Sequence, residues 1–420
     1  MKLIKSIDFN VKEKFILFII EKFIKGLCSL SLIFFFTKNF SKNIFGIFTY
    51  FESISIVMLG LASLALFQIF IREFNYKKYS DSTIISTGFV LNTLACIIII
   101  AISSILIRFN DNLEIIFFAA FSSTIISSSF LSLHAFYEKS NKIKKFLYPS
   151  LLNFIIFFLF KLYSIEVLID LNYLIGFTIL ENASLFTINA YLLKQAKFPF
   201  IKSFDLKLAK EFLKSCSPLV LSTIAVLMIV RFDQLYIKEY LGYESNAEYA
   251  AAFKLIEYFF IIPTIYMRAN FPHLNKIYQK EKVFKTEIIK TLKRISLYSL
   301  FSIFTLIFLG EFILMLIFNF SFQDAQNIFL ILSPVILLYS ILTLVNQIII
   351  LLNKEYLYLI RSILGMILNI VLNIFLITKY GIIGAAVSTL ITYIFIAILF
   401  NFFDKDILKI FTERNSSNLN

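Results

Sequence analysis

The sequence predicts an all-α polytopic membrane protein of twelve transmembrane helices. Three observations carry that prediction. The 420 residues are 59% hydrophobic with a mean hydropathy of +0.84. Only 16% are charged, against about a quarter in soluble domains. The apolar residues form continuous runs near the length of about 20 residues that a helix needs to cross a bilayer. A transmembrane β-barrel would alternate apolar and polar residues instead.

Read by that length rule, the spans fall at 15–36, 44–70, 82–107, 113–136, 146–164, 166–193, 213–237, 246–270, 295–318, 326–352, 357–378 and 381–403. The basic residues test the division. With a cytoplasmic N-terminus, the inside segments hold Lys2, Lys5, Lys12 and Lys14; Arg72, Lys77 and Lys78; and Lys139, Lys142, Lys144 and Lys145. They also hold six lysines from Lys194 to Lys214, seven Lys or Arg from Lys276 to Arg294, then Lys354, Arg361, Lys405, Lys409 and Arg414. The outside loops hold only Lys38, Lys42, Arg108, Lys161, Lys238 and Lys379. The positive-inside rule then places both termini in the cytoplasm and the chain in the cytoplasmic (inner) membrane.

The net charge of +13 therefore belongs to membrane topology, not to nucleic acid, whose partners carry denser basic patches. Cys28, Cys96 and Cys216 lie in apolar segments with no zinc or redox spacing. The basic N-terminus lacks a small-residue cleavage site, which argues against a cleaved signal peptide.

Two inside connections are long. In 194–212, Phe204, Leu208 and Phe212 recur every four residues among lysines. That spacing predicts an amphipathic linker helix lying on the inner membrane surface. It also marks a seam between two six-helix bundles, 1–193 and 213–403. The second connection, 273–294, has a similar mix. A cytoplasmic tail, 404–420, ends in the polar "TERNSSNLN", whose composition predicts disorder. The halves carry a faint parallel repeat: Lys38 and Phe40 correspond to Lys238 and Tyr240, Phe48 to Tyr249, and Gly176 to Gly384.

Charges inside spans cost about 2.5–3.5 kcal/mol at a helix centre, so each requires a reason. Five cations stand out within the predicted spans: Lys22, Lys25, Arg231, Lys254 and Arg268. Arg268 is near a helix end and can snorkel. Lys25 falls near the midplane of the first span. Glu21 and Lys25 are spaced i, i+4, and Lys254 and Glu257 i, i+3, so each pair shares a helix face. Two readings stand for these pairs: mutual neutralisation, or the lining of a water-filled, net-cationic cavity for an anionic substrate. Arg231 and Asp233, at i, i+2, point to different faces and cannot pair locally. Each needs water, a headgroup at the outer interface or another helix, with Glu52 and Glu257 as candidate partners for Arg231. Glu181, in the middle of the sixth span, is a candidate proton-titrating site. Asn346, Gln347, Asn369 and Asn373 fit interhelical hydrogen bonding.

No nucleotide-binding loop, zinc-protease motif or potassium-filter sequence occurs. No cofactor is implied, and the short outside loops argue against an enzyme.

The stretches "RFDQLYIKEYLG" and "AEYAAAFKLIEYFFIIPTIYMRANFPHL" resemble the helix seven–eight signature of the bacterial polysaccharide (O-antigen repeat-unit) flippases. These are the Wzx-type members of the multidrug/oligosaccharidyl-lipid/polysaccharide exporter superfamily. "FDLKLAKEFLKSCSPL" and "YGIIGAAVSTLITY" resemble their segments before helix seven and in helix twelve. Asp233 and Gln234 stand at motif positions. The resemblance implies two six-helix bundles forming a V around a central cavity. It implies transfer of an undecaprenyl-diphosphate-linked oligosaccharide between leaflets by ion-coupled alternating access, driven by H⁺ or Na⁺, in surface polysaccharide biosynthesis. A polysaccharide polymerase and glycosyltransferases are the expected partners besides membrane lipids. On charge and depth, Lys25, Arg231 and Lys254 are the expected substrate contacts, with Glu21, Asp233, Glu257 and Glu181 balancing charge or coupling ions. The twelve-helix drug exporters are the main rival class, and a non-transport component of glycan assembly is a second.

Overall fold

A computed structural model describes residues 9–412 except 77, 141, 279, 319–323 and 353. The segments 1–8 and 413–420, and most of the expected disordered tail with them, lie outside the described residues. Every regular element among the described residues is a helix, as expected for a chain that must satisfy each backbone hydrogen bond within its own segment in lipid. In order these are α1 (Phe9–Asn39), α2 (Lys42–Ala62), α3 (Leu66–Tyr76), α4 (Asp81–Leu106), α5 (Asn112–Ile126), α6 (Leu131–Lys139), α7 (Ile143–Tyr163) and α8 (Leu171–Gln195). There follow α9 (Leu206–Leu241), α10 (Tyr243–Ile277), α11 (Glu281–Ile317), α12 (Ala325–Leu332), α13 (Pro334–Leu351), α14 (Glu355–Ala397) and α15 (Lys405–Thr412). Ten stretches of the described residues are long and apolar enough to cross a membrane.

The chain divides into two compact units, 1–227 and 228–420, with the boundary inside α9. In the first unit α7 packs on α8, α5 on α2 and α8, and α6 on α3 and α4. In the second, α13 packs on α10, α11 and α14.

Parts of the two long basic connections belong to the spanning helices; in the first, Phe204 lies before α9 and is exposed. Residues 206–212 are the first two turns of α9, and Leu208 and Phe212 are buried with Phe70, Phe74, Ile84 and Leu193 in the core of the first unit. Likewise α10 runs to Ile277 and α11 starts at Glu281, so most of 273–294 is helical. Leu274, Phe284 and Ile288 are buried against Met267, Leu344 and Ile348. The amphipathic periodicity is real, but it continues the spanning helices beyond the bilayer. At 1.5 Å per residue, α9 and α11 are each about 55 Å long, well beyond a hydrocarbon core of about 30 Å. Leu208 and Phe212 on α9, Leu274 on α10 and Phe284 and Ile288 on α11 face neighbouring helices of the same unit.

Gly381 divides α14. Its φ of 63° and ψ of −142° interrupt the helix. The two arms then run back along each other: Asn369 Nδ2 donates to Thr392 Oγ1 at 3.3 Å, and Ser388 Oγ to the Asn369 carbonyl at 3.3 Å. The reversal is so tight that a Cβ at Gly384 would stand 2.0 Å from the Leu376 carbonyl oxygen. Gly176, its counterpart in the sequence repeat, has nothing within 4 Å of the same position. Gly384→Ala is therefore expected to cost about 2 kcal/mol or more. Gly176→Ala should stabilise by about 0.5–1 kcal/mol through helix propensity. Thermal unfolding of both variants in one detergent checks the contrast, and equal midpoints would contradict it.

The short α15 is clamped to the rest of the second unit. Asp404 caps its N-terminus, accepting from the backbone N–H groups of Asp406 and Ile407 at 3.0 Å each. Lys354, in the α13–α14 connection, donates to Asp404 at 2.6 Å and Asp406 at 2.7 Å. Ile407 and Ile410 are buried beneath it. Burial alone pushes the Asp404 carboxyl up, but Lys354 and the two backbone donors outweigh it and hold the group below its usual range. The bonds to Asp404 and Asp406 hold the Lys354 ammonium above its usual range. The depressed carboxyl contributes stability above its unfolded value of about 4 and loses it as pH falls. The raised ammonium contributes below about 10 and loses it as pH rises. Amide protection of residues 407–410 is expected to be flat between those limits and to drop below about pH 4. Lys354→Gln should lower it about threefold at neutral pH, and unchanged protection in that variant would rule the clamp out.

Candidate functional site

Gly242 sets the geometry of the motif that carries the resemblance. It connects α9 to α10 with φ 87°, a conformation that favours glycine. The two helices turn back at that point, so residues before the glycine face residues after it. Arg231 on α9 meets Glu257 on α10, with Nη2 donating to Oε1 at 2.7 Å. The Arg231 side chain is 12% exposed. Two residues on, Asp233 is 0% exposed. Its Oδ2 accepts from the Tyr249 hydroxyl on α10 and from Thr389 Oγ1, at 3.4 Å, on the second arm of α14. Its Oδ1 accepts from the Gln234 backbone N–H at 2.7 Å. Thus i, i+2 spacing sends the two charges to separate partners on other helices. Of the two candidate partners for Arg231, Glu257 makes this bond.

The Asp233 carboxylate is enclosed by neutral donors. Beside it along the second arm, Ser388 and Thr392 bond Asn369, and Asn373 Nδ2 donates to Asn369 Oδ1 at 3.0 Å. Asn369, Asn373, Ser388, Thr389 and Thr392 are all fully buried. The Asn373 Oδ1 is buried without a hydrogen-bond donor. The carboxylate with the Tyr249 and Thr389 hydroxyls is a set of hard oxygen donors within one unit, and Asn373 carries a spare amide oxygen on the first arm of α14. Such a set can hold a proton or a small hard cation. Asn369 and Asn373 thus connect helices, as amides in spans do, but Asn373 keeps an acceptor in reserve. Gln347 also connects helices, donating to the Met267 carbonyl at 2.6 Å.

The remaining expected residues lie elsewhere. Lys254 is half-buried on α10, one turn before Glu257. In the first unit, Lys25 pairs with Glu21 at 2.6 Å and lies 5.7 Å from the Phe154 ring. Glu181 on α8 forms an ion pair with Lys161 on α7, their side chains 16% and 13% exposed. Sequence reasoning had put Lys161 in an outside loop. It belongs to the last turn of α7, and its ammonium reaches back to α8.

Two features had no sequence signal strong enough to find them. Arg361, counted among the inside loop residues, is buried on α14 at 2% exposure. It donates to Asn346 Oδ1 and lies over the Tyr358 ring at 5.7 Å. Tyr249 was noted only as a repeat position, yet it supports the Asp233 carboxylate. It stands seven residues after the Gly242 turn and Asp233 nine before it, so the turn brings the two into the same stretch of the helix pair.

No family model matches the sequence, and no curated protein matches it. Solved structures do. Lipid II flippase MurJ in an inward closed conformation aligns with a TM-score of 0.72 at 18% identity, over 94% of this chain and 90% of that one. An inward-facing multidrug resistance MATE family transporter of the MOP superfamily aligns at 0.70 and 11% identity, over 91% and 94%. A MOP superfamily transporter from Pyrococcus furiosus aligns at 0.64 and 12%, over 94% and 95%. The likeness spans nearly the whole of each chain, and the protein, a multi-pass helical membrane protein, has the fold of the MOP superfamily transporters.

Proposed function

We propose that the chain is a flippase that moves an undecaprenyl-diphosphate-linked oligosaccharide across the cytoplasmic membrane for surface polysaccharide biosynthesis. In this reading α1 also spans the bilayer and the two arms of α14 span it separately, giving twelve crossings with both termini in the cytoplasm. Lys25, Arg231 and Lys254 supply positive charge for the diphosphate, and Glu21 and Glu257 hold two of these cations in place until substrate competes for them. Asp233 is the coupling group. It binds H⁺ or Na⁺ with Tyr249, Thr389 and the nearby amides, and its occupancy biases the alternating-access cycle.

The observation that carries the proposal is the separation of charges on α9. Arg231 is held by a carboxylate that a phosphate can replace, whereas Asp233 is enclosed among neutral oxygen donors. The likeness to a lipid II flippase supports a lipid-linked substrate, and the MATE likeness supports a drug/cation antiporter as the second reading. The test is reconstitution into liposomes with a lipid-linked oligosaccharide diphosphate and an imposed H⁺ or Na⁺ gradient. Gradient-dependent transfer is expected, with loss of about tenfold in Lys25→Ala or Lys254→Ala at unchanged protein level. Cationic drug efflux with no lipid transfer favours the antiporter. Movement of neither leaves a non-transport role in glycan assembly.

A further inference from the structure

A groove of about 630 Å³ opens where the start of α7 meets the end of α8, lined by Lys145, Pro149, Thr187, Ile188, Tyr191 and Gln195. All of it lies in the first unit, and none of its lining residues belongs to the charge pairs above. We infer that it docks a glycerophospholipid with an anionic headgroup, independently of what the chain transports.

Three observations point to that occupant. The first is unneutralised positive charge. Lys142 and Lys145 are exposed at the start of α7, and Lys194 and Lys197 at the end of α8. Among the described residues, Lys142, Lys145, Lys194 and Lys197 form no ion pair. A neighbouring cleft of the same unit, at the start of α9, behaves differently: Lys78 meets both oxygens of Glu211 at 3.0 Å, and Arg72 bonds Glu73 at 3.1 Å. There two of the three cations in the lining face carboxylates. The α7–α8 groove has no carboxylate in its lining.

The second observation is the apolar wall continuing from the lysines. Tyr148 and Leu152 on α7 and Tyr191 on α8 are large exposed hydrophobics, and Ile188 and Leu192 line the groove. A phosphate at the lysines and an acyl chain along these residues match the two ends of one lipid. Tyr191 supplies the amphipathic ring favoured at headgroup depth.

The third is local backbone chemistry. Pro149 has no N–H for the Lys145 carbonyl four residues back, and its ring needs space there. Lys197 takes φ 58°, the left-handed position that ends α8, with the Phe198 N–H closing on the Leu193 carbonyl at 3.2 Å. Glycine is the usual residue there, and here the chain keeps a lysine.

The chain contains no tryptophan, so Tyr191→Trp gives a single reporter in the full-length protein. In liposomes, brominated phosphatidylglycerol is expected to compete for this reporter about fivefold better than brominated phosphatidylcholine. The preference should vanish when Lys142, Lys145 and Lys194 are all changed to Gln and persist when they are changed to Arg. If the Gln variant does not fold, the lipid comparison in the single-tryptophan protein still decides the matter. Equal quenching by the two lipids, a preference that survives the Gln changes, or its removal by millimolar inorganic phosphate would each overturn the inference.

Discussion

Asp233→Asn is expected to abolish gradient-driven transport, by at least about tenfold in initial rate, while protein yield and thermal midpoint stay near those of the parent. Asparagine has nearly the shape of aspartate. Its oxygen can still accept the Gln234 backbone N–H, and the Tyr249 and Thr389 hydroxyls can rotate to accept from its amide. The packing around the fully buried side chain is therefore retained. What the substitution removes is the carboxylate of this cluster. Without it the site can neither take up a proton nor neutralise a cation, and the ion ceases to bias the cycle. Exchange of substrate down its own gradient should survive. Tyr249→Phe deletes one of the supporting hydrogen bonds and should give a smaller loss. The measurement is accumulation in liposomes with and without an ion gradient, and wild-type accumulation by Asp233→Asn would remove this residue from the coupling role.

Glu181→Ala is expected to destabilise the first unit by about 3–5 kcal/mol, the usual cost of leaving one member of a buried ion pair uncompensated. The Lys161 ammonium would be left between apolar helices, with the Asn153–Glu181 backbone bond and the Asn153–Ser184 pair beside it still intact. Changing both charged residues, as Lys161→Met with Glu181→Met, should recover stability to within about 1 kcal/mol of the parent, since apolar packing replaces the pair. Thermal unfolding of the single and double variants reads this directly. Transport in the double variant separates two roles for Glu181. Normal rates indicate a structural pair, whereas lost transport in a stable double variant assigns Glu181 to proton coupling, the role its sequence position suggested.

The fold was legible because span length and hydropathy are physical requirements of the bilayer and do not depend on tertiary detail. Arg231 and Asp233 stood out for the same reason: charge in a span is costly and has to be resolved by partners. Glu257 was one of two acidic residues on other spans that could be named, and the turn at Gly242 brings it to Arg231. Contacts that depend on distant segments were not legible. Thr389 reaches Asp233 across 156 residues, and threonine is ordinary in a membrane helix. Arg361 and Lys161 sit near the ends of apolar runs, where a cation normally snorkels to water. Only the structure shows them turned inward, toward Asn346 and Glu181. The amphipathic stretches 194–212 and 273–294 were ambiguous by nature. A stripe of apolar residues at helical spacing fits a lipid surface as well as a protein neighbour.

The turn at Gly381 also constrains how the protein is made. Each arm of α14 carries polar groups that are costly alone in lipid: Asn369 and Asn373 on one, Ser388 and Thr392 on the other. Because a single glycine separates the arms, the ribosome delivers the second within seconds of the first, and the two can leave the insertion machinery already paired. Lengthening the turn with a tag or a flexible linker would part the arms at the stage when neither is stable in the bilayer by itself.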